Sequence, residues 1–242
     1  MVDGLRTDDR EQPTYEGICA EHSAYLAALC AAGVEVTALA PLEEFPDSVF
    51  VEDAALVFVD GAILLRPGAP SRAGESAAIA PALEGLFEVV LNQPSGIADG
   101  GDVLVAPSGV IIGLSDRTDS AGAMALVGCL ARLGLGATIV ETPGDVLHLK
   151  SACALLDDET ILCTASVAAM FDGFRVLVTP EGEEAAANAL RINDIVLAGA
   201  GFPRTIELLD CAGYEVVALE TSEIGKLDAG LSCMSLRWSA SG

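Results

Sequence analysis

The sequence predicts an α/β fold assembled as a ring of similar units, a propeller rather than an open doubly wound sheet. Three observations lead there. An order of apolar strand, polar turn, second apolar strand and helix recurs at roughly 40–50 residues. The turns carry Asp, Gly, Asn and Pro, the residues hairpins require. The polar side chains able to do chemistry fall at matching places in successive units.

The elements follow in chain order. "EHSAYLAALCAAG" (21–33) has 3.6-residue periodicity and ends at Gly, a helix signature. "VEVTALAP" (34–41) reads as a strand. "FPDSVFVEDAALVFVDGAILLRPGAPSR" (45–72) gives strand, turn at Asp60-Gly61, strand, then a helix from about Ser71 to Leu86. "IADGGDVLVAPSGVIIGLSDRT" (97–118) repeats this with a turn at Pro107-Ser108-Gly109 and a helix from about Ser120 to Leu133. "VLHLKSACALLDDETILCTASV" (146–167) turns at Asp157-Asp158. "AAANALRINDIVLAGAGFPRTIELLDCAG" (185–213) turns at Asn193-Asp194 and ends in a helix. "KLDAGLSCMSLRW" (226–238) reads as a single closing strand, its unit completed by the N-terminal segment.

The 242 residues, 52% of them hydrophobic, suffice for one domain, expected to span 1–242. No apolar run reaches the ~18–20 residues of a membrane span. The start, "MVDGLRTDDREQP", has neither the basic nor the apolar part of a secretory signal. Seven cysteines with no CxxC pair exclude a zinc pattern and indicate reduced thiols in the cytoplasm. Cys30, Cys129, Cys153, Cys163 and Cys211 lie in apolar runs, where a thiol acts as a small hydrophobe. Twelve Lys and Arg stand against 36 Asp and Glu, a net charge of −24. That excludes a nucleic-acid partner, which needs basic surface, and favours a cationic small molecule.

The candidate site comes from the repeats. Glu52-Asp53, Asp99 and Asp102, His148 and Lys150, Asn188, and Cys233 each lie near the start of an inner strand. In a closed ring such positions converge on the axis. Of two histidines, His22 reads as a surface helix residue, which leaves His148. A protonated His beside a Cys favours the thiolate, and the same imidazole can protonate a leaving group and then activate water. Carboxylates among apolar strands require a cation, and a guanidinium matches them two at a time. Arg72 and Arg117, each just after the second strand of its unit, could grip a substrate carboxylate. Together these point to attack by Cys233 on the guanidinium carbon of an amino acid.

"FPDSVFVEDAALV", "RPGAPSR", "DGGDVL", "GLSDRT", "LHLKS" and "DAGLSCMSL" in this order resemble the dimethylarginine dimethylaminohydrolase family of the guanidino-group-modifying pentein enzymes. The resemblance covers residue 3 to the C-terminus. It implies a five-bladed α/β propeller with pseudo-fivefold symmetry. It implies hydrolysis of Nω-methylated arginine to citrulline and a methylamine, with no cofactor, no metal and no membrane partner; a homodimer is compatible with it. It implies Cys233 as nucleophile, His148 as general acid and base, and Asp99 as the acid facing both His and guanidinium. It further implies substrate contacts from Asp53 with Glu52, from Arg72 and Arg117, from Asp47 and the Leu227 backbone, and from Leu5 on a lid loop. The family usually has a strand before "VDGL", so the first strand of one blade is expected to be missing. The alternatives on the same fold are an arginine deiminase acting on free arginine and a catalytically silent binding protein.

Overall fold

The computed structural model of the chain describes residues 1–6 and 11–239. The chain divides into two compact units, Met1–Ala38 with Lys150–Ser232, and Leu39–Leu149 with Cys233–Gly242. Among the described residues no helix is long and apolar enough to cross a membrane.

In the second unit β1 (Ala55–Phe58) and β2 (Gly61–Leu64) form an antiparallel hairpin. Helix α2 (Glu75–Leu86) then crosses over, so that β3 (Val90–Asn92) pairs parallel to β2. The plan repeats with β4 (Val103–Ala106), β5 (Gly109–Leu114), α3 (Ser120–Arg132) and β6 (Ala137–Glu141). The two-residue alternation of strands sorts the apolar side chains by face. Leu56, Ile63 and Leu91 join Val103, Val110, Ile112 and the α3 residues Ala123, Leu126 and Leu130 in one core. Ala55, Val57, Ala62 and Leu64 face the other way, onto Ile79 and Leu83 of α2. Asp119 starts α3 by accepting from the Gly122 N–H at 2.6 Å.

The first unit holds α1 (Tyr15–Ala31), capped by the Thr14 hydroxyl accepting from the Gly17 N–H. Its buried residues Ile18, Glu21, Tyr25 and Leu29 recur every three to four positions and make one stripe. The plan then appears twice more. Strands β7 (Cys153–Leu155), β8 (Thr160–Cys163) and β9 (Arg175–Val178) form one sheet. Strands β10 (Leu190–Ile192), β11 (Ile195–Gly199) and β12 (Glu215–Leu219) form another, with α4 (Pro203–Ala212) as its crossover. Between β8 and β9 a short 3-10 turn, Ala168–Met170, replaces the long helix. All four expected hairpins are present, and each gains a third, parallel strand that the sequence reading did not contain.

Two expected strands do not form. Residues 34–41 contain no strand; Val34 and Val36 are half-buried, and 37–41 are exposed, so no apolar face is made. Residues 226–238 instead fold into 3-10 turns, Ile224–Leu227 and Leu231–Met234. The buried apolar side chains there are Ile224, Leu227, Leu231 and Met234. Their spacing of three and four residues belongs to a turn of helix, not to alternation. Of the five cysteines read as apolar filler, Cys129, Cys153 and Cys163 are buried, while Cys30 and Cys211 are exposed on helices.

Candidate active site

A short 3-10 turn precedes the first strand of every sheet, and the chemistry sits there. Val51–Ala54 carries Glu52 and Asp53 into β1. Gly100–Asp102, with Asp99 at its N-cap, leads into β4. Leu149–Ser151 follows His148 and leads toward β7. Glu184–Ala187 ends at Asn188 before β10. Cys233 lies in a fifth such turn, Leu231–Met234. Such a turn aims short polar side chains off the sheet end while the strand stays apolar.

In the second unit His148 and Asp99 form a buried pair, Nε2 to Oδ2 at 3.0 Å. The other Asp99 oxygen accepts from the Gly68 N–H at 2.7 Å, which fixes the carboxylate plane. Asp53 lies beside them and accepts from the Gly101 N–H at 2.8 Å. The glycines of "DGGD" are needed for this approach. A Cβ on Gly101 would stand 2.8 Å from His148 Cγ and Nδ1, and one on Gly100 would stand 1.9 Å from the Glu52 carbonyl oxygen. Only a bare backbone lets the two 3-10 turns meet.

The charges follow from that packing. Burial would depress the His148 pKa, but the charge of Asp53, the bond to Asp99, and the charges of Asp102 and Asp99 push it up to about 9. The ring is therefore an imidazolium near neutral pH. Burial would raise the Asp53 carboxyl, but His148, Arg72 and the Gly101 N–H outweigh it and hold Asp53 below the usual carboxylate range. Burial raises Glu75, against the pull of Arg72.

Arg72, read from the sequence as a grip on a substrate carboxylate, is buried among acids. It is 5% exposed and donates to Asp53 Oδ2 at 2.6 Å, to Glu75 Oε2 at 2.7 and 3.0 Å, and to the Phe50 carbonyl at 2.8 Å. In this arrangement it is the counter-ion of two buried acids, which burial leaves in need of a cation. Glu52 is likewise engaged, accepting from Arg237 at 3.1 Å. Asp47 is buried, and its carbonyl accepts from the Phe50 N–H at 2.9 Å. Arg117 is half-buried at the tip of the β5–α3 connection, its N–H bonded to Ser115 Oγ at 3.0 Å.

Cys233 is half-buried and in no disulfide. The segment after it is anchored within the same unit. Leu236 packs on the α2 core, Arg237 reaches Glu52, and Trp238 meets Phe87 edge to face at 4.9 Å. Leu5 and Leu227 belong to the other unit, Leu5 exposed and Leu227 buried. Asn188, also there, bonds the Lys150 carbonyl and both the backbone and hydroxyl of Ser232. His22, expected at the surface, is partly buried on α1, and burial lowers its pKa.

The ligand atoms of Asp53, Asp99 and His148 lie within 4.8 Å of one another, close enough to share a cation. Each is already engaged, however, and the positive charge comes from the His148 proton and the Arg72 guanidinium. A metal would need the neutral imidazole. Elsewhere, a shallow depression of about 630 Å³ around the β7–β8 turn is lined by Asp157, Asp158 and Glu159. Asp157 there accepts from the Glu159 and Thr160 N–H groups, which is turn chemistry.

Sequence reasoning did not name Glu75, Ser115, Thr118 or Arg237. The first two hydroxyls were visible only as the ends of "SDRT", and Arg237 only as a cation four residues after Cys233.

The chain is similar to several known proteins. Residues 40–198 match the family model described as arginine deiminase. The N(G),N(G)-dimethylarginine dimethylaminohydrolase of Pseudomonas aeruginosa is 38% identical over 98% of this chain and 95% of its own length. That of Streptomyces coelicolor is 36% identical over 98% and 92%. A structure of the Pseudomonas aeruginosa enzyme, a cysteine-to-serine mutant complexed with citrulline, superimposes with a TM-score of 0.94 over 98% of this chain and 94% of that one. An adduct of a dimethylarginine dimethylaminohydrolase histidine-to-glycine variant with S-methyl-L-thiocitrulline gives 0.93 over the same shares. The N-terminal domain of a cyanobacterial arginine dihydrolase, at 19% identity and a TM-score of 0.84, shares the fold. With full-length matches at these identities, the chain belongs to the dimethylarginine dimethylaminohydrolase family, within the pentein superfamily.

Proposed function

We propose that this chain is an amidinohydrolase that converts Nω-methylated arginine to citrulline and dimethylamine or methylamine. The observation that carries the reading is the buried His148–Asp99 pair at 3.0 Å, with ionised Asp53 beside it. Two carboxylates and an imidazolium at that spacing can hold a guanidinium and deliver a proton to one of its nitrogens.

In the first step the Cys233 thiolate attacks the guanidinium carbon. His148 gives its proton to the departing nitrogen, dimethylamine leaves, and a thiouronium cation remains on sulfur. In the second step water adds to that carbon and His148 takes one of its protons. Collapse expels the thiolate, releases the urea of citrulline and sends the second proton to solvent. Asp99 keeps His148 protonated and oriented between turnovers, and Asp53 and Asp99 favour the cationic states. Arg72 keeps Asp53 ionised, and the family resemblance assigns Arg72 and Arg117 to the substrate carboxylate. Asp47, Glu52, Leu5 and Leu227 enter as substrate contacts on the family resemblance alone.

We further infer a single domain over 1–242 in the family's five-bladed propeller; the four sheets of one plan and the five 3-10 turns support that count. A cytoplasmic setting is inferred from the cysteine content, none of it in disulfides. Free arginine is the second reading, favoured by the arginine deiminase match over 40–198. Citrulline release from asymmetric dimethylarginine, monomethylarginine, arginine and agmatine, measured side by side, decides. Faster turnover of free arginine would replace the first reading by the second, and no turnover of any would remove both.

A further inference from the structure

Asp102 is 0% exposed, and the reaction outlined above gives it no task. It ends the 3-10 turn that Asp99 begins. Its Oδ1 accepts from the backbone N–H of Leu149, the residue after His148, at 2.9 Å. Its Oδ2 accepts from two hydroxyls, Ser115 at 2.6 Å and Thr118 at 2.7 Å. Those two residues close the turn that holds Arg117, through reciprocal backbone bonds of 3.1 and 3.3 Å.

Each hydroxyl is also an acceptor. Ser115 Oγ receives the Arg117 N–H at 3.0 Å, and Thr118 Oγ1 receives the Asp99 N–H at 3.2 Å. A hydroxyl has one proton, and here both protons point to Asp102. Oδ2 therefore takes two O–H groups, which an amide nitrogen in its place could not do. Two chains of bonds leave this one carboxylate. One runs through Thr118 to the backbone of Asp99, and the other through Ser115 to the backbone of Arg117.

We propose that Asp102, with Ser115 and Thr118, is a positioning unit that sets His148, Asp99 and Arg117 in register without touching substrate. The inference rests on the reading of those three as site residues. It makes the two chains separable: Thr118 governs the proton-transferring pair, and Ser115 governs the grip on the substrate carboxylate.

The test uses the full chain as wild type, Thr118→Val, Thr118→Ser, Ser115→Ala and Asp102→Asn. Steady-state citrulline release gives kcat and KM on asymmetric dimethylarginine, and NMR follows the His148 ring through a pH titration. Thr118→Val should lower kcat about ten- to a hundredfold, the loss that goes with misplacing reacting groups by about 1 Å. Thr118→Ser, which keeps the hydroxyl and loses the methyl, should restore it. Ser115→Ala should act mainly on KM, raising it about tenfold, the loss expected for one hydrogen bond to a charged group. Asp102→Asn should combine both effects, and if it fails to fold the three hydroxyl variants carry the test. A purely packing role predicts the loss in Thr118→Ser, which lacks the methyl, and little in the isosteric Thr118→Val, with no kcat–KM split, and that result overturns the proposal. Were the wild type to turn over none of the guanidino substrates, the functional reading would fail by itself. The NMR arm would still decide this inference: Thr118→Val, a neutral change, must move the His148 titration midpoint, and an unmoved midpoint overturns it.

Discussion

Replacing His148 by Gln removes a proton that the folded chain holds far more tightly than the unfolded one. The folded pKa is about 9 against an ordinary 6.5. Folding stability gained from this proton is fully present below pH 6.5 and is lost as pH rises through about 9. At about 1.4 kcal/mol per pH unit the difference is worth on the order of 3 kcal/mol. For a chain of this length that equals a melting temperature change of roughly 6–12 °C. The assay is urea unfolding of wild type and His148→Gln at about pH 6 and about pH 10, either side of the window. Wild type should lose about 3 kcal/mol more than the variant across the window. With two histidines in the chain, the imidazole resonances are also simple to assign. His148 should titrate near 9 and His22 below 6.5. Parallel stability curves, or a His148 midpoint at or below 6.5, would refute the reasoning, because the ring would then be neutral at the pH where the thiolate needs it charged.

Cys233→Ser should fold with an unchanged melting temperature and lose citrulline release by at least ~10⁴-fold, as nucleophile removal does; retained turnover would move the nucleophile elsewhere. Gly101→Ala should destabilise by about 1–3 kcal/mol and lower kcat, because its Cβ collides with the His148 ring; calorimetry and rate measurements on one preparation check both. Arg237→Ala should cost about 2 kcal/mol by leaving the Glu52 carboxylate buried without this cation, and Glu52→Gln in the same chain should recover part of it, as a double-mutant cycle in urea would show.

The hairpins were legible because each carries its signal within ten or so residues: an alternating apolar run, then Asp60-Gly61, Pro107-Ser108-Gly109, Asp157-Asp158 or Asn193-Asp194. The third strands were not. Val90–Asn92 and Arg175–Val178 are three and four residues long and become strands only by pairing after a long connection. The same gap misled the reading of 226–238, where small residues around Cys233 looked extended and the decisive feature was the spacing of Ile224, Leu227, Leu231 and Met234. His148, Asp99 and Asp53 could be picked out as polar residues in apolar surroundings. Which acid had which cation could not, since that depends on contacts between turns 19 to 49 residues apart.

That pairing resolves an apparent conflict between composition and site. A net charge of −24 would seem to leave a buried cluster of acids without support. Yet three cations of the second unit are placed inward. Arg72 serves Asp53 and Glu75, Arg237 serves Glu52, and protonated His148 serves Asp99. Asp102 has hydroxyls and an N–H instead of a full charge, and burial accordingly raises its pKa while that of Asp53 is lowered. The acids thus divide by partner. Asp53, beside His148 and Arg72, is held ionised and can meet a guanidinium; Asp102, held by neutral donors, is suited to hold backbone in place. These groups are presented by 3-10 turns and not by the strands themselves. The Thr118 variants alter reactivity through a hydrogen bond, whereas Gly101→Ala alters reactivity and stability together, because its Cβ meets the His148 ring.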